Sequence, residues 1–317
     1  MSRNGPAVIG LDIGTSAVKA LLATEAGWIA GARRGYHLDI GAGGRVEVDA
    51  EAVWAAARSA IRALAARARA ELCSVIAVCA GGSGDEAVWL NARGAVVAPI
   101  PMALDTRSEV DGAAFVATVG DARFAGRTLL PPAGTYPLVR LIWLGRVAPR
   151  LAADVRVMLA WPEFIAVRLG AEPAAEPSLA ARSAAFDPRS GKWDSELLMA
   201  AGIDNGTFPR IVPTGSVVGT LGPAIARRLG LADGALIVAG GFDQAMATLG
   251  AGATSSRVAH LGLGSWQAIT ILCERPDPTW SARGISCGPA IGARVGWSAM
   301  ASSAGGAAQA WLGALAG

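Results

Sequence analysis

The chain has 317 residues, 52% of them apolar and 17% charged, with a mean hydropathy of +0.41. This excludes a disordered chain, and the length exceeds what one core needs, so two domains are expected. The net charge of +3 is scattered, with only Arg33-Arg34 and Arg227-Arg228 as short pairs, which argues against nucleic acid as a partner.

No uncharged apolar run is long enough to cross a bilayer and no signal-peptide pattern opens the chain, so a cytoplasmic location without a membrane partner is expected. Cys73, Cys79, Cys273 and Cys287 lack metal-type spacing and read as reduced, structural thiols. His37 and His260 are the only histidines, which argues against a zinc site and a histidine-based triad.

In chain order, residues 7–38 read as three short strands, "AVIGLD", "AVKALLA" and "GWIAGARRGYHL", parted by the turns "IGTS" and "TEAG". A glycine loop running into a second strand rather than a helix is not a Rossmann opening, and no Walker-type P-loop occurs. After "GAGG", Asp49 is placed to cap a helix with Glu51 in its first turn, and Val53, Ala57, Ile61 and Leu64 recur on one face. "SVIAVCAGG" reads as a strand covered on both faces, and "LNARGAVVAPIP" as a turn and a further strand. From about Ser108 to Ser216 the pattern is mostly helical, broken by Pro and Gly. "GALIVAGGFDQAMATLGAG" then reads as a buried strand, two glycines, an acid and a helix.

An internal near-repeat carries the functional signal. "LDIGTSAVKALL" (11–22) aligns without gaps with "LGLGSWQAITIL" (261–272), each a strand, a glycine–hydroxyl turn and a second strand. Either copy alone reads as a plain hairpin. Two copies far apart suggest a duplicated domain whose turns face one cleft, with glycines at positive φ and backbone N–H groups converging on an anion. Phosphate is the anion this favours.

These segments, with "GFDQ", "MALDTRS", "YPLVRLIWL" and "AEPSLAARSAAFDPRSGKW" in this order, resemble the FGGY carbohydrate kinases, a family that includes xylulokinases, glycerol kinases and gluconokinases. The resemblance implies an α/β, actin-like (ribonuclease H-like) ATPase fold. Residues 1–250 would form the sugar-binding N-terminal domain and residues 251–317 the beginning of a C-terminal nucleotide-binding domain. It further implies an ATP-dependent kinase acting on a ketose, sugar acid or polyol, with a homodimer among the assemblies allowed.

By the same resemblance Asp12 would hold Mg²⁺ through its water shell, and Gly14, Thr15, Ser16 and Lys19 would grip phosphate. Gly264 and Ser265 would form the second phosphate turn, and Asp243 would be the catalytic base. Gln244, Gly84, Asp85 and Asp105 would contact the sugar, although the stretch around Asp85 has neither the "QMHG" of xylulokinases nor the "QRET" of glycerol kinases. The two glycines before Asp243 are read as letting a ligand approach the backbone, and the helix that follows as favouring its ionised form. Relatives are longer, and the segment that holds adenosine has no counterpart here. The second domain is therefore expected to expose apolar surface, and a catalytically inactive sugar-binding remnant is the alternative reading.

Overall fold

The computed structural model describes residues 5–263, 266–292 and 296–305. The first three strands form as the sequence predicts: β1 (Gly5–Ile13), β2 (Ala17–Thr24) and β3 (Gly27–Gly35) make an antiparallel meander. Helix α1 (Ala50–Ala70) follows. Asp49 accepts the Glu51 N–H at 3.0 Å, satisfying one orphan donor of the first turn, and Val53, Ala57, Ile61 and Leu64 are buried against the sheet.

β4 (Cys73–Gly82) then pairs parallel with β1. The sequence reading had β4 covered on both faces, but Ser74 and Ile76 are exposed and only the stretch from Ala80 to Gly82 is fully enclosed. α1 and the later helix over residues 161–169 both pack on this strand, while Ser74 and Ile76 near its start stay uncovered.

The middle of the chain is largely helical, as expected. It includes α2 (Glu109–Val119), α3 (Pro137–Val147), α4 (Trp161–Leu169) and the one-turn α5 (Pro177–Ala180). Pro at or near the first position of α3, α4 and α5 suits a turn whose N–H would be unpaired anyway. The chain then re-enters the sheet through β5 (Val217–Thr220) and β6 (Leu236–Phe242), and β6 runs directly into α6 (Asp243–Gly250). The sheet order is β5-β6-β4-β1-β2-β3, with β6, β4 and β1 mutually parallel. The main hydrophobic core lies on the α1 and α4 side of this sheet.

A second sheet contains β7 (Ala259–Leu263), β8 (Trp266–Cys273), β9 (Ser286–Pro289) and β10 (Trp297–Ala304), in the order β7-β8-β10-β9 and antiparallel throughout. The predicted repeat is thus a real hairpin repeat: β7–β8 answers β1–β2. The face of this sheet away from α6 carries Leu261, Leu263, Ile269 and Ile271, from 42% exposed at Ile271 to 73% at Leu263. Exposed apolar surface on the second unit was anticipated. The four cysteines form no disulfide.

Glycines set the closest approach in the first sheet. A Cβ on Gly240 would collide with the Ala80 carbonyl of β4, and one on Gly82 would stand 2.9 Å from the Ile13 carbonyl oxygen of β1. Gly145, inside α3, has open space around it. Gly240→Ala should destabilise the chain by about 3 kcal/mol or more by forcing β6 away from β4. Gly145→Ala should stabilise it by about 0.5–1 kcal/mol through the helix alone. Urea denaturation of the two variants checks both signs.

Candidate active site

The site is built where the carboxyl ends of β1, β4 and β6 meet the second sheet. In the first hairpin, the Gly14 N–H donates to the Ala17 carbonyl at 3.2 Å, the Tyr36 hydroxyl donates to the Gly14 carbonyl, and the Tyr36 N–H donates to the Ser16 carbonyl at 3.2 Å. Tyr36 therefore holds the turn from outside. Burial pushes its phenol up, so it remains a protonated donor. Gly14 does not have positive φ, and a Cβ there would make an ordinary 3.5 Å contact. The left-handed role expected of it is not used. Thr15 lines the cavity described below, whereas Ser16 is exposed. Gly264 and Ser265 lie outside the described residues, although β7 and β8 bracket them.

Asp12 and Lys19 face each other across the hairpin and form an ion pair at 3.1 Å with both side chains substantially exposed. An exposed carboxylate of this kind, once released from Lys19, suits a hydrated Mg²⁺, which is held through one or two carboxylates and its own waters. Among the described residues no cluster of three or more His, Cys, Asp or Glu side chains could enclose a metal directly.

Asp243 is the first residue of α6, and its Oδ1 accepts the Gln244 N–H at 2.6 Å. The backbone just before it is anchored: the Phe242 N–H donates to Ser178 Oγ at 2.9 Å, and the hydroxyls of Ser178 and Thr214 both donate to the buried Glu176. Glu176 also accepts the N–H groups of Ser178 and Leu179, capping α5.

Burial, then the negative charge of Asp12, pushes the Asp243 carboxyl up to about 7, against the opposing Gln244 N–H; Asp85 and Glu86 add to the rise. The expectation that the helix terminus would favour the ionised form is therefore reversed, because desolvation and crowded carboxylates outweigh a terminal dipole that acts over one turn. The two glycines before Asp243 also act differently from expectation. A Cβ on Gly241 would strike Ile291 and lie 2.8 Å from Ser178 Oγ, so they admit protein groups rather than a ligand.

A cavity of about 250 Å³ opens over Asp243. Thr15, Ser83, Asp85, Tyr136, Arg182 and Gln244 line it, and Ala268, Met300 and Ser302 close it from the second sheet. The Gln244 Oε1 is buried without a hydrogen-bond partner in the described structure. The loop after β4 is clamped twice, by the Ala103 N–H donating to Glu86 at 2.9 Å and by Arg182 on Asp85. The first hairpin, the base position and the strand following the second turn thus share one cavity.

Two predicted sugar contacts do not reach it. Gly84 is buried behind the loop, where a Cβ would sit 2.8 Å from the Arg182 side chain, so its smallness makes room for that stem. Asp105 is buried, accepts the Val46 N–H at 2.9 Å and is gripped by Arg107, which also pairs with Glu47. Burial would raise its pKa, but Arg107 and the Val46 N–H hold it below the usual carboxylate range. It braces the segment rather than touching the cavity. Sequence reasoning missed Thr135, Tyr136 and Arg182; "LAARS" carries no local signal that singles out the arginine.

Residues 7–250 match the model of the N-terminal domain of the FGGY family of carbohydrate kinases. The chain belongs to this family. Xylulose kinase from Streptomyces rubiginosus is 29% identical over 286 residues, covering 89% of this chain and 58% of that protein. Autoinducer-2 kinase from Enterobacter sp. (strain 638) is 27% identical over 290 residues, covering 87% and 53%. The crystal structure of xylulose kinase from Rhodospirillum rubrum superposes with a TM-score of 0.89 at 25% identity, covering 98% of this chain and 63% of that one. The FGGY chain described here thus has the actin-like ATPase fold and spans little more than half the length of the curated relatives it matches. Among its described residues no helix is long and apolar enough to cross a membrane.

The raised pKa of Asp243 has a consequence for stability that needs no substrate. Its folded value of about 7 lies above the unfolded carboxylate value, so the native state prefers the protonated form. Its contribution is fully present below the unfolded pKa and is lost as pH rises through about 7. Asp243→Asn, which cannot ionise, should therefore be more stable than the parent at pH 8, and the gain should shrink as pH falls toward 4. Thermal unfolding at both pH values measures the difference.

Proposed function

We propose that this FGGY chain forms the sugar-binding side of an ATP-dependent carbohydrate kinase. Its reaction would transfer the γ-phosphoryl group of ATP to a hydroxyl of a ketose, sugar acid or polyol. The observation that carries this reading is Asp243: a carboxylate over a polar cavity, at the start of a helix, with its pKa brought to about 7. A base poised near the working pH combines an adequate ionised fraction with useful proton affinity. The similarity to xylulose kinase and to autoinducer-2 kinase supports a kinase reading without singling out one acceptor.

In the proposed reaction, Asp243 accepts the proton of the attacking hydroxyl as the bond to phosphorus forms. Gln244, with its unpartnered Oε1, and Asp85 accept hydrogen bonds from other substrate hydroxyls. In the turn at Gly14–Ser16 the Gly14 N–H is spent on Ala17, so Thr15 and Ser16 would face phosphate with N–H and hydroxyl groups, and Lys19, paired with Asp12, would balance charge beside them. Asp12 would hold hydrated Mg²⁺, which when bound offsets negative charge on the transferring phosphoryl group. Residues 251–317, which contain the second hairpin, are read as the start of the nucleotide-binding part, with Gly264 and Ser265 at its phosphate turn.

The chain, assayed with magnesium ATP and a panel of ketoses, polyols and sugar acids, should phosphorylate at least one of them. Asp243→Asn should lower turnover by roughly 10²–10⁴-fold while leaving sugar affinity nearly unchanged. Because only the ionised form accepts a proton, kcat/KM of the parent should climb as pH rises through about 7, and that limb should vanish in the variant. An Asp243→Asn chain as active as the parent would remove this residue from the mechanism. Sugar binding without any phosphoryl transfer would move the conclusion to a binding module.

A further inference from the structure

The cavity wall carries one arginine and two carboxylates, Asp85 and Asp243, and that arginine is already engaged. Arg182 leaves the end of α5 with its stem packed against Gly84 and its guanidinium 5.6 Å from the Tyr136 ring centre and 5.3 Å from that of Phe242. Its Nε and Nη2 both contact Asp85 Oδ1, at 2.9 and 2.8 Å. The guanidinium is therefore held from three sides, by Tyr136, Phe242 and Asp85, while Gly84 makes room for its stem. Both contacts fall on a single oxygen of Asp85, so the carboxylate keeps acceptor capacity, and a guanidinium with five donors keeps donors. Side by side, they present an acceptor and a donor on one wall of the cavity.

Charge decides what that wall can take. The charged residues lining the cavity, among those described, are Asp85, Arg182 and Asp243. Arg182 is balanced by Asp85; Asp12 and Glu86 add negative field at Asp243, with Glu86 itself offset by the buried Arg140, whose guanidinium is bonded to the Pro101 and Met102 carbonyls. Lys19 is committed to Asp12 at the exposed end of the hairpin. On the cavity lining a ligand carboxylate would meet two acids, Asp85 and Asp243, and, among the described residues, no cation besides the engaged Arg182. A pair of neighbouring hydroxyls has the opposite fit, since one donates to Asp85 while the other accepts from Arg182.

We propose that the Asp85–Arg182 pair makes this cavity selective for uncharged polyhydroxylated substrates, ketoses and alditols, and excludes sugar acids. The inference rests on the kinase reading above and narrows its substrate class.

Titration calorimetry of the full chain at neutral pH, with matched ketose, alditol and aldonate (D-xylulose, xylitol and D-xylonate; D-fructose, sorbitol and D-gluconate), tests it. In the parent, a neutral compound should bind about tenfold or more tighter than the aldonate of the same length. Asp85→Asn leaves Arg182 as an unbalanced cation and should shift the aldonate-to-neutral affinity ratio toward the acid by roughly tenfold or more. Asp85→Asn with Arg182→Gln should return the ratio toward rejection of the acid. The ratio is taken within each protein, so a partly unfolded preparation does not mimic the effect. Aldonates binding as tightly as both neutral partners, or a ratio unmoved by Asp85→Asn, would overturn the selectivity and leave the kinase reading standing. Failure of every compound to bind, together with no phosphoryl transfer across the panel, would overturn both.

Discussion

The close approach of β6 to β4 is the constraint on which the site depends. Gly240 and Gly241 let β6 run against the backbone of β4 and against Ser178 with no side chain between them. That contact places the Phe242 N–H on Ser178 Oγ, and the next residue is Asp243. Glu176 fixes Ser178, Thr214 and the start of α5 together, so the same short segment that anchors the base position also carries Arg182 to the far wall of the cavity. One buried carboxylate thus ties the catalytic candidate and the arginine to a common frame. A buried acid in such a network is held by its hydrogen bonds; removing any one partner would leave a desolvated polar group unmet.

Much of this frame is legible in the sequence where local chemistry and tertiary context agree. The three-strand opening, the Asp49-capped helix, the strand–glycine–acid–helix run ending at Asp243 and the second hairpin all carry local signals: period, caps and turn residues. What was not legible depends on groups distant in the chain. Gly84 and Asp105 sit in the right neighbourhood, yet one is smothered by the Arg182 stem, ninety-eight positions on, and the other is claimed by Val46 and Arg107. Arg182 itself sits in an alanine-rich stretch with nothing to mark it. Its meaning comes from Asp85, Tyr136 and Phe242, which no spacing rule connects to it. The two glycines before Asp243 were recognised as a place of close approach, but a sequence does not say whether a ligand or the protein's own backbone arrives there.

The electrostatics of Asp243 show why the helix terminus alone misleads. A helix N-terminus favours an anion by about 0.3–1 kcal/mol near the surface. Enclosure of the carboxylate and the field of Asp12 act the other way and win, bringing the pKa to about 7. The N–H of Gln244 still points at the carboxylate, so the terminus sets its orientation even though it does not set its charge. Orientation and basicity are thus supplied by different parts of the structure. The helix start aims the oxygen, while burial and neighbouring acids raise its affinity for a proton. Burial sets most of the rise at Asp243, and the neighbouring acids that add to it are the same charges on which the proposed rejection of an acidic ligand rests.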